Sequence, residues 1–289
     1  MSRWMIEGPQ DLTLDPVRVL RVRTIGGLVD VVGTDGPPRL EVHAVEGPPL
    51  LVTHDEVSGE LVVSYEDLTK KSLMAWFQNA RHRHTDLKAF MTEGRALTKR
   101  HAEVSLAVPW DCTVEIGVVS AHATVSGIHG TTTARSIGGD LTLVGLTGTV
   151  DANTISGSVD AESMAGDLEV VTVAGSLTVI EGTGGRVRAN SVSGPMILDL
   201  DAVGRSNVQL STVSGELTVR LPHHGDMRVD VRSAGGSVDS AFDELTATGR
   251  FGARHVSGTL GEGSGRLQIN SVSGDVTLLR RAPEGKVIA

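Results

Sequence analysis

Cysteine, aromatic residues and long apolar runs are scarce in this chain, and each scarcity closes off a class of protein. The one cysteine, Cys112, excludes an internal disulfide framework and any zinc site built from several thiolates. Alone, it reads as a small buried hydrophobe. Aromatic residues make up 3% of the chain, which does not suit a bulky globular core. No apolar stretch reaches the roughly 18 residues that a membrane-spanning helix needs. The opening residues, Met1 to Gln10, lack the apolar core of a secretory signal. The cytoplasm is therefore the expected compartment, with docking onto a membrane from that side left open. The formal net charge of −9 argues against general nucleic-acid binding, which needs a basic face to displace counterions. Asn-Gly is absent and Asp-Gly occurs once, at Asp35-Gly36. Tight two-residue hairpins favour those pairs, so an antiparallel meander is the weaker reading.

What the chain does have is regularly spaced glycine. Gly139, Gly148, Gly157, Gly166, Gly175 and Gly184 recur every nine residues. A looser beat continues through Gly194, Gly204, Gly215, Gly225, Gly236, Gly249, Gly258, Gly265 and Gly274. A short fixed period signals a repeat architecture. Segments such as Val173-Ala174-Gly175-Ser176-Leu177-Thr178-Val179 and Val272-Ser273-Gly274-Asp275-Val276-Thr277-Leu278 share one template: apolar, small, Gly, polar, apolar, polar, apolar. The alternation after each glycine gives strands with one buried face and one wet face. No segment can shield its apolar face alone, whereas stacked copies can. The reading is all-β: a single-chain parallel β-helix, expected right-handed, with turns of about 18–22 residues, two strands to a turn. Gly139, Gly157, Gly175, Gly194, Gly215, Gly236, Gly258 and Gly274 are the expected equivalent corners, where glycine reaches positive φ and lets backbones approach closely. The other corners are expected at Gly148, Gly166, Gly184, Gly204, Gly225, Gly249 and Gly265.

Residues 1–65 carry the template at Ile25 to Val31 and Val57 to Val63, and are expected to form first turns or a cap. Residues 105–280 form the repeat region and residues 281–289 a tail. The alternation stops over residues 66–104. There Leu73, Trp76, Phe77 and Ala80 fall at helical spacing, as do Leu87, Phe90 and Met91. This basic amphipathic insertion is expected to be helical. It either caps an open end of the coil or touches an anionic membrane surface or an acidic partner. Lys70, Lys71, Trp76, Phe77, Arg81 and Arg83 are its candidate interaction residues.

Catalytic and metal chemistry find little support. Calcium-binding nine-residue repeats need Gly-Gly-x-Gly-x-Asp in tandem, and Gly138-Gly139-Asp140 and Gly235-Gly236-Ser237 lack the rest of it. His82 and His84, and the adjacent His223-His224, have no visible third ligand. Asp199 and Asp201 share a strand face, with Asp160 and Asp167 as further carboxylates, and a glycosidase needs two about 5–10 Å apart across a sugar. The aromatic platforms and long loops of a sugar cleft are missing, so these carboxylates read as an ordinary polar face. No G-x-S-x-G elbow occurs. No cofactor, metal or catalytic residue is expected.

The segments Thr154 to Gly157, Ser191 to Gly194, Thr212 to Gly215 and Ser271 to Gly274, each followed by polar-apolar alternation, resemble the toast-rack β-strand-repeat family, whose members are often labelled adhesins. The resemblance covers roughly residues 105–280 and, more loosely, the strands before residue 65. It implies a single-chain β-helix and a link to bacterial envelope-stress systems, and it transfers no catalytic residue. A non-enzymatic scaffold that binds a protein partner is the expected function. The alternatives are a carbohydrate-active β-helix enzyme and a structural protein polymerising end to end. Oligomeric state is left open.

Overall fold

The computed structural model describes residues 1–66, 68, 100–183, 185–202, 206–222, 225–250 and 253–281. Among them are 26 strands and no helix. Contacts divide the chain into two compact units, Met1–Thr142 and Leu143–Ala289.

The first unit contains β1 (Ser2–Ile6), β2 (Gln10–Thr13), β3 (Val19–Thr24), β4 (Gly26–Thr34), β5 (Arg39–Glu46), β6 (Leu50–Asp55), β7 (Glu60–Tyr65), β8 (His101–Pro109), β9 (Thr113–Val118), β10 (His122–Ser126) and β11 (Thr132–Ser136). β12 (Leu141–Val144) lies at the boundary. One sheet runs β1-β6-β7-β3-β9-β11 and the other β2-β5-β8-β4-β10. β3 is parallel to both β7 and β9, and β4 to both β8 and β10. The rung β3-β4 therefore sits between rungs that come later in the chain. Antiparallel pairs lie outside it: β1 with β6, β6 with β7, β2 with β5, and β5 with β8.

The second unit contains β13 (Val150–Thr154), β14 (Val159–Glu162), β15 (Leu168–Thr172), β16 (Leu177–Thr183), β17 (Arg186–Ser191), β18 (Met196–Ala202), β19 (Asn207–Thr212), β20 (Leu217–Leu221), β21 (Met227–Ser233), β22 (Val238–Ser240), β23 (Thr246–Arg250), β24 (Ala253–Leu260), β25 (Gly265–Ser271) and β26 (Val276–Arg280). Its sheets run β13-β15-β17-β19-β25-β21-β24-β23 and β14-β16-β18-β20-β26-β22. Val150, Leu168, Val187 and Val208 share one register position, so successive turns take 18, 19 and 21 residues. The next occupant of that column is Leu267, because the last rung, β25-β26, is inserted before β21-β22. The unit ends in antiparallel strands, β21 with β24 and β24 with β23.

The core is the set of inward columns. Val159, Leu177, Met196, Leu217, Val276 and Val238 stack in register, and all are buried. Each such side chain contributes about 1.5–3 kcal/mol by leaving water.

Glycine keeps the beat for one of the two expected reasons. Gly139, Gly157, Gly175, Gly194, Gly215 and Gly274 each stand two residues before a strand, yet none has positive φ. Close approach is the cause. A Cβ on Gly175 would lie 1.9 Å from the Gly157 carbonyl oxygen, one on Gly194 1.8 Å from that of Gly175, and one on Gly215 2.1 Å from that of Gly194. The column continues through Gly274, whose Cβ would lie 2.0 Å from the Gly215 oxygen, to Gly236, 2.2 Å from the Gly274 oxygen. It follows rung order rather than chain order. Two expected corners are corrected: Gly258 lies inside β24 and Gly249 inside β23, because this part of the chain forms an antiparallel hairpin. Gly184 and Gly204 lie outside the described residues.

A buried hydroxyl accompanies each corner three residues upstream. Thr172 Oγ1 accepts from the Gly175 amide at 2.9 Å and donates to the Gly175 carbonyl at 3.0 Å. Ser191 donates to the Gly194 carbonyl at 2.9 Å, and Ser271 to that of Gly274 at 2.6 Å. Thr212 Oγ1 and Ser233 Oγ accept from the Gly215 and Gly236 amides, each at 2.9 Å. These bonds satisfy buried backbone groups where the ladder turns. The serine one residue before the glycine ties rungs together: Ser193, Ser214 and Ser273 donate to the carbonyls of Val173, Val192 and Val213.

The boundary of the expected insertion is also corrected. Residues 101–104 begin β8, which is parallel to β4 and antiparallel to β5. Their sequence, His101-Ala102-Glu103-Val104, alternates wet and buried as a strand requires.

Candidate functional site

Of the candidate interaction residues, Lys70, Lys71, Trp76, Phe77, Arg81 and Arg83 lie outside the described residues, as do His82, His84, His223 and His224. Most of the other singled-out groups have structural partners, while Asp160 is an exposed outward residue of β14. Asp199 binds Arg220 at 3.0 Å, and both Asp199 and Asp201 bind Arg281 just beyond β26. These hydrogen bonds hold the Arg281 guanidinium above its ordinary range. The two carboxylates thus anchor the end of the last strand, with both oxygens of Asp199 and one of Asp201 engaged. Asp167 accepts from the Arg186 amide at 2.8 Å. Cys112 is fully buried, and desolvation pushes its thiol up to about 12, which leaves it inert. His122 pairs with Asp140 at 3.2 Å, and His255 lies 3.6 Å from Asp230. Among the described residues no three His, Cys, Asp or Glu side chains are placed to hold a metal ion.

The distinctive chemistry of the second unit is spread over its outward faces. Strand alternation puts every second side chain outside, and register then gathers outward residues into rows. On the sheet containing β17, one row reads Arg186, Asn207, Arg266, Arg228 and Thr259. The next reads Arg188, Gln209, Gln268, Asp230 and Ser257, and the third Asn190, Ser211, Asn270, Arg232 and His255. From β17 to β21 these rows hold Arg186, Arg188, Arg228, Arg232 and Arg266 against a single carboxylate, Asp230. Arg232 pairs with Asp230 at 3.0 Å, and Arg188 donates to Gln209 at 3.1 Å. The other sheet is opposite in sign. Its outward residues include Asp160, Glu162, Asp199, Asp201 and Asp239. The corner valines Val173, Val192, Val213 and Val272 add an exposed apolar column.

A cleft of 660 Å³ opens at the arginine row, lined by Arg228, Asp230, Ser257, Thr259, Gly263, Ser264 and Arg266. Gly263 has φ +74° and admits the Arg228 side chain beside it: a Cβ there would lie 3.1 Å from Arg228 Cγ.

The architecture now has a family. The model of the Toastrack DUF4097 family matches residues 54–279, well over half of the chain. The chain belongs to that family. Among solved structures it is similar to a "putative adhesin" from Bacteroides fragilis, at 11% identity over 94% of this chain and 96% of that one, with a TM-score of 0.41. It is also similar to a "putative lipid binding protein" from Parabacteroides distasonis, at 11% identity over 96% and 98% of the two chains, with a TM-score of 0.44. A "putative adhesin" from Parabacteroides merdae matches at 9% identity over 95% and 96%, with a TM-score of 0.31. No curated protein matches the chain. In this Toastrack chain the matched span includes the repeats of the second unit, and the arginine rows are additional to the repeat template.

The rows escaped the sequence reading for a definable reason. Arg186-Val187-Arg188 and Arg228-Val229-Asp230-Val231-Arg232 show strand alternation in plain view. That Arg228 neighbours Arg266 follows only from the inserted rung.

Proposed function

We propose that this Toastrack chain is a non-enzymatic interaction scaffold that docks protein partners on its outward sheet faces, chiefly the arginine-rich face of the second unit. The observation that carries the reading is a charge contrast: from β17 to β21 one sheet of that unit presents arginines in rows, whereas the outward charges of the other are chiefly carboxylates. Such faces steer complementary partners and reject like-charged ones. The site of action is the cytoplasm, with peripheral contact to an anionic membrane through the basic insertion and a regulatory place in a bacterial envelope-stress response, as the family resemblance implies. Affinity capture from native lysate tests this, using the wild-type chain, an Arg186→Gln/Arg188→Gln variant and a chain lacking residues 70–98. A partner released by moderate salt and lost from the arginine variant is the expected result. Capture that is equal for wild type and arginine variant, with both folded, overturns the reading.

A further inference from the structure

Arg228 and Arg266 occupy directly paired positions on the adjacent strands β21 and β25. Strand spacing brings their backbones to about 4.8 Å. Like charges so placed repel and destabilise a sheet. Both side chains are exposed, and neither forms an ion pair among the described residues. Two carboxylates that neighbour Arg228 in sequence are already engaged: Asp230 by Arg232, and Asp226 by the Ser264 amide and hydroxyl. The pair forms no ion pair of its own, yet it lines the 660 Å³ cleft together with the hydroxyl-bearing Ser257, Thr259 and Ser264 and with Asp230, whose charge Arg232 offsets.

We propose that this cleft binds a phosphomonoester. Two guanidinium groups offer planar forks of N–H donors that match phosphate oxygens. A phosphomonoester carries close to two negative charges at pH 7, which balances two arginines. Sulfate esters carry one and leave the pair half-neutralised. Arg186, two rungs along the same row with Asn207 between, supplies further positive potential at one end of the site. The inference rests on the reading of this face as a docking surface, and it names the chemistry the face recognises.

The test is titration of the full chain with inorganic phosphate followed by ³¹P NMR. Saturable one-site binding is expected, weakened at least tenfold in the Arg228→Gln/Arg266→Gln variant. The same variant is expected to melt no lower than wild type, because removing the pair relieves repulsion. Arg228→Lys and Arg266→Lys keep the charge and lose the fork, and each is expected to bind phosphate more weakly than wild type. Two further arms separate the source of the group. Glycerol 3-phosphate competing with inorganic phosphate, without co-sedimentation on phosphatidic acid vesicles, indicates a soluble ligand. Co-sedimentation with phosphatidic acid vesicles, lost in the double variant, indicates a lipid headgroup. Absence of saturable phosphate binding, or binding unchanged by the double substitution, overturns the proposal. Because Arg186 and Arg188 are intact in these variants, partner capture through them fails or succeeds independently.

Discussion

The first rung of the first unit and the last rung of the second solve the same problem from opposite ends of the chain. β3-β4 is flanked on both sides by parallel strands made later, and β25-β26 by parallel strands made earlier. In the first unit the outer positions go to the antiparallel strands β1, β6, β2 and β5; in the second, the sheet that holds β21 ends in the antiparallel β24 and β23, while the other sheet ends on the short β22, parallel to β26. An exposed parallel edge is a template for pairing with another chain, and a twisted antiparallel hairpin blunts it. The difference lies in chain order and clamping. β3-β4 precedes both of its neighbours in the chain. β25-β26 follows both of its own, so only the last rung of the chain can fill its slot. Two aspartate-serine bridges then hold that rung to its outer neighbour: Asp226 with Ser264, and Asp275 with the Ser237 amide and hydroxyl at 2.7 and 2.8 Å.

The largest effect that tests this contrast comes from truncation. Ending the chain at residue 264 removes β25-β26, leaves β22 without a ladder partner, and takes one of two partners from each of β19, β20 and β21. Loss of cooperative urea unfolding of the second unit is expected, with its amides open to hydrogen exchange. Removing residues 1–13 takes away two edge strands whose one buried side chain is Ile6. A loss of about 2–5 kcal/mol is expected there, as for deletion of one buried apolar side chain. Equal losses from the two truncations would break the asymmetry.

Next in size are the corner glycines. Gly194→Ala places a Cβ 1.8 Å from the Gly175 oxygen, and Gly274→Ala 2.0 Å from that of Gly215. Overpacking against backbone costs about 3 kcal/mol or more. Both variants are expected to fall together in thermal melts, because the inserted rung continues the same column. Gly145→Ala is the control: it has φ +62° and no atom within 4 Å of its Cβ. A loss of about 1–2 kcal/mol is expected, from backbone strain alone.

A smaller effect is expected at the buried hydroxyls. Thr172→Val keeps the shape and removes both bonds to Gly175. Calorimetry should record a loss of about 1–3 kcal/mol, the cost of leaving a buried backbone group unpaired.

The smallest is a pH effect on the inserted rung. The bonds from Ser264 hold the Asp226 carboxyl below its ordinary 3.8, and those from Ser237 do the same for Asp275. A depressed folded pKa gives stability that is present above pH 3.8 and lost as pH falls through the folded value. Hydrogen exchange in β25 and β26 should therefore rise below pH 3.8, before exchange in β15 and β17. Asp226→Asn and Asp275→Asn together should flatten that rise.

Much of the fold was legible in the sequence. Template segments such as Val213 to Val219 and Val272 to Leu278 marked strand positions, inward faces and a turn of about 18–22 residues, because burial of alternate side chains is a local pattern. The role of the hydroxyls was not legible, although Thr172, Ser191 and Thr212 stand at a constant offset from their glycines, because a buried Ser or Thr looks like any polar residue until its partner is known. The two hairpin glycines, Gly249 and Gly258, were misread because they share the beat but not the geometry.

By itself the sequence determined that this chain is a stack of narrow rungs, which side of each rung is dry, and that small residues mark the bends. Tertiary structure alone decided the order of the rungs, and with it the neighbours of every outward residue. The physical reason is that each rung offers the same two hydrogen-bonding edges and nearly the same apolar column, so local chemistry cannot tell one neighbour from another. Only the closing of the whole stack places β25 between β19 and β21, and so sets Arg266 beside Arg228.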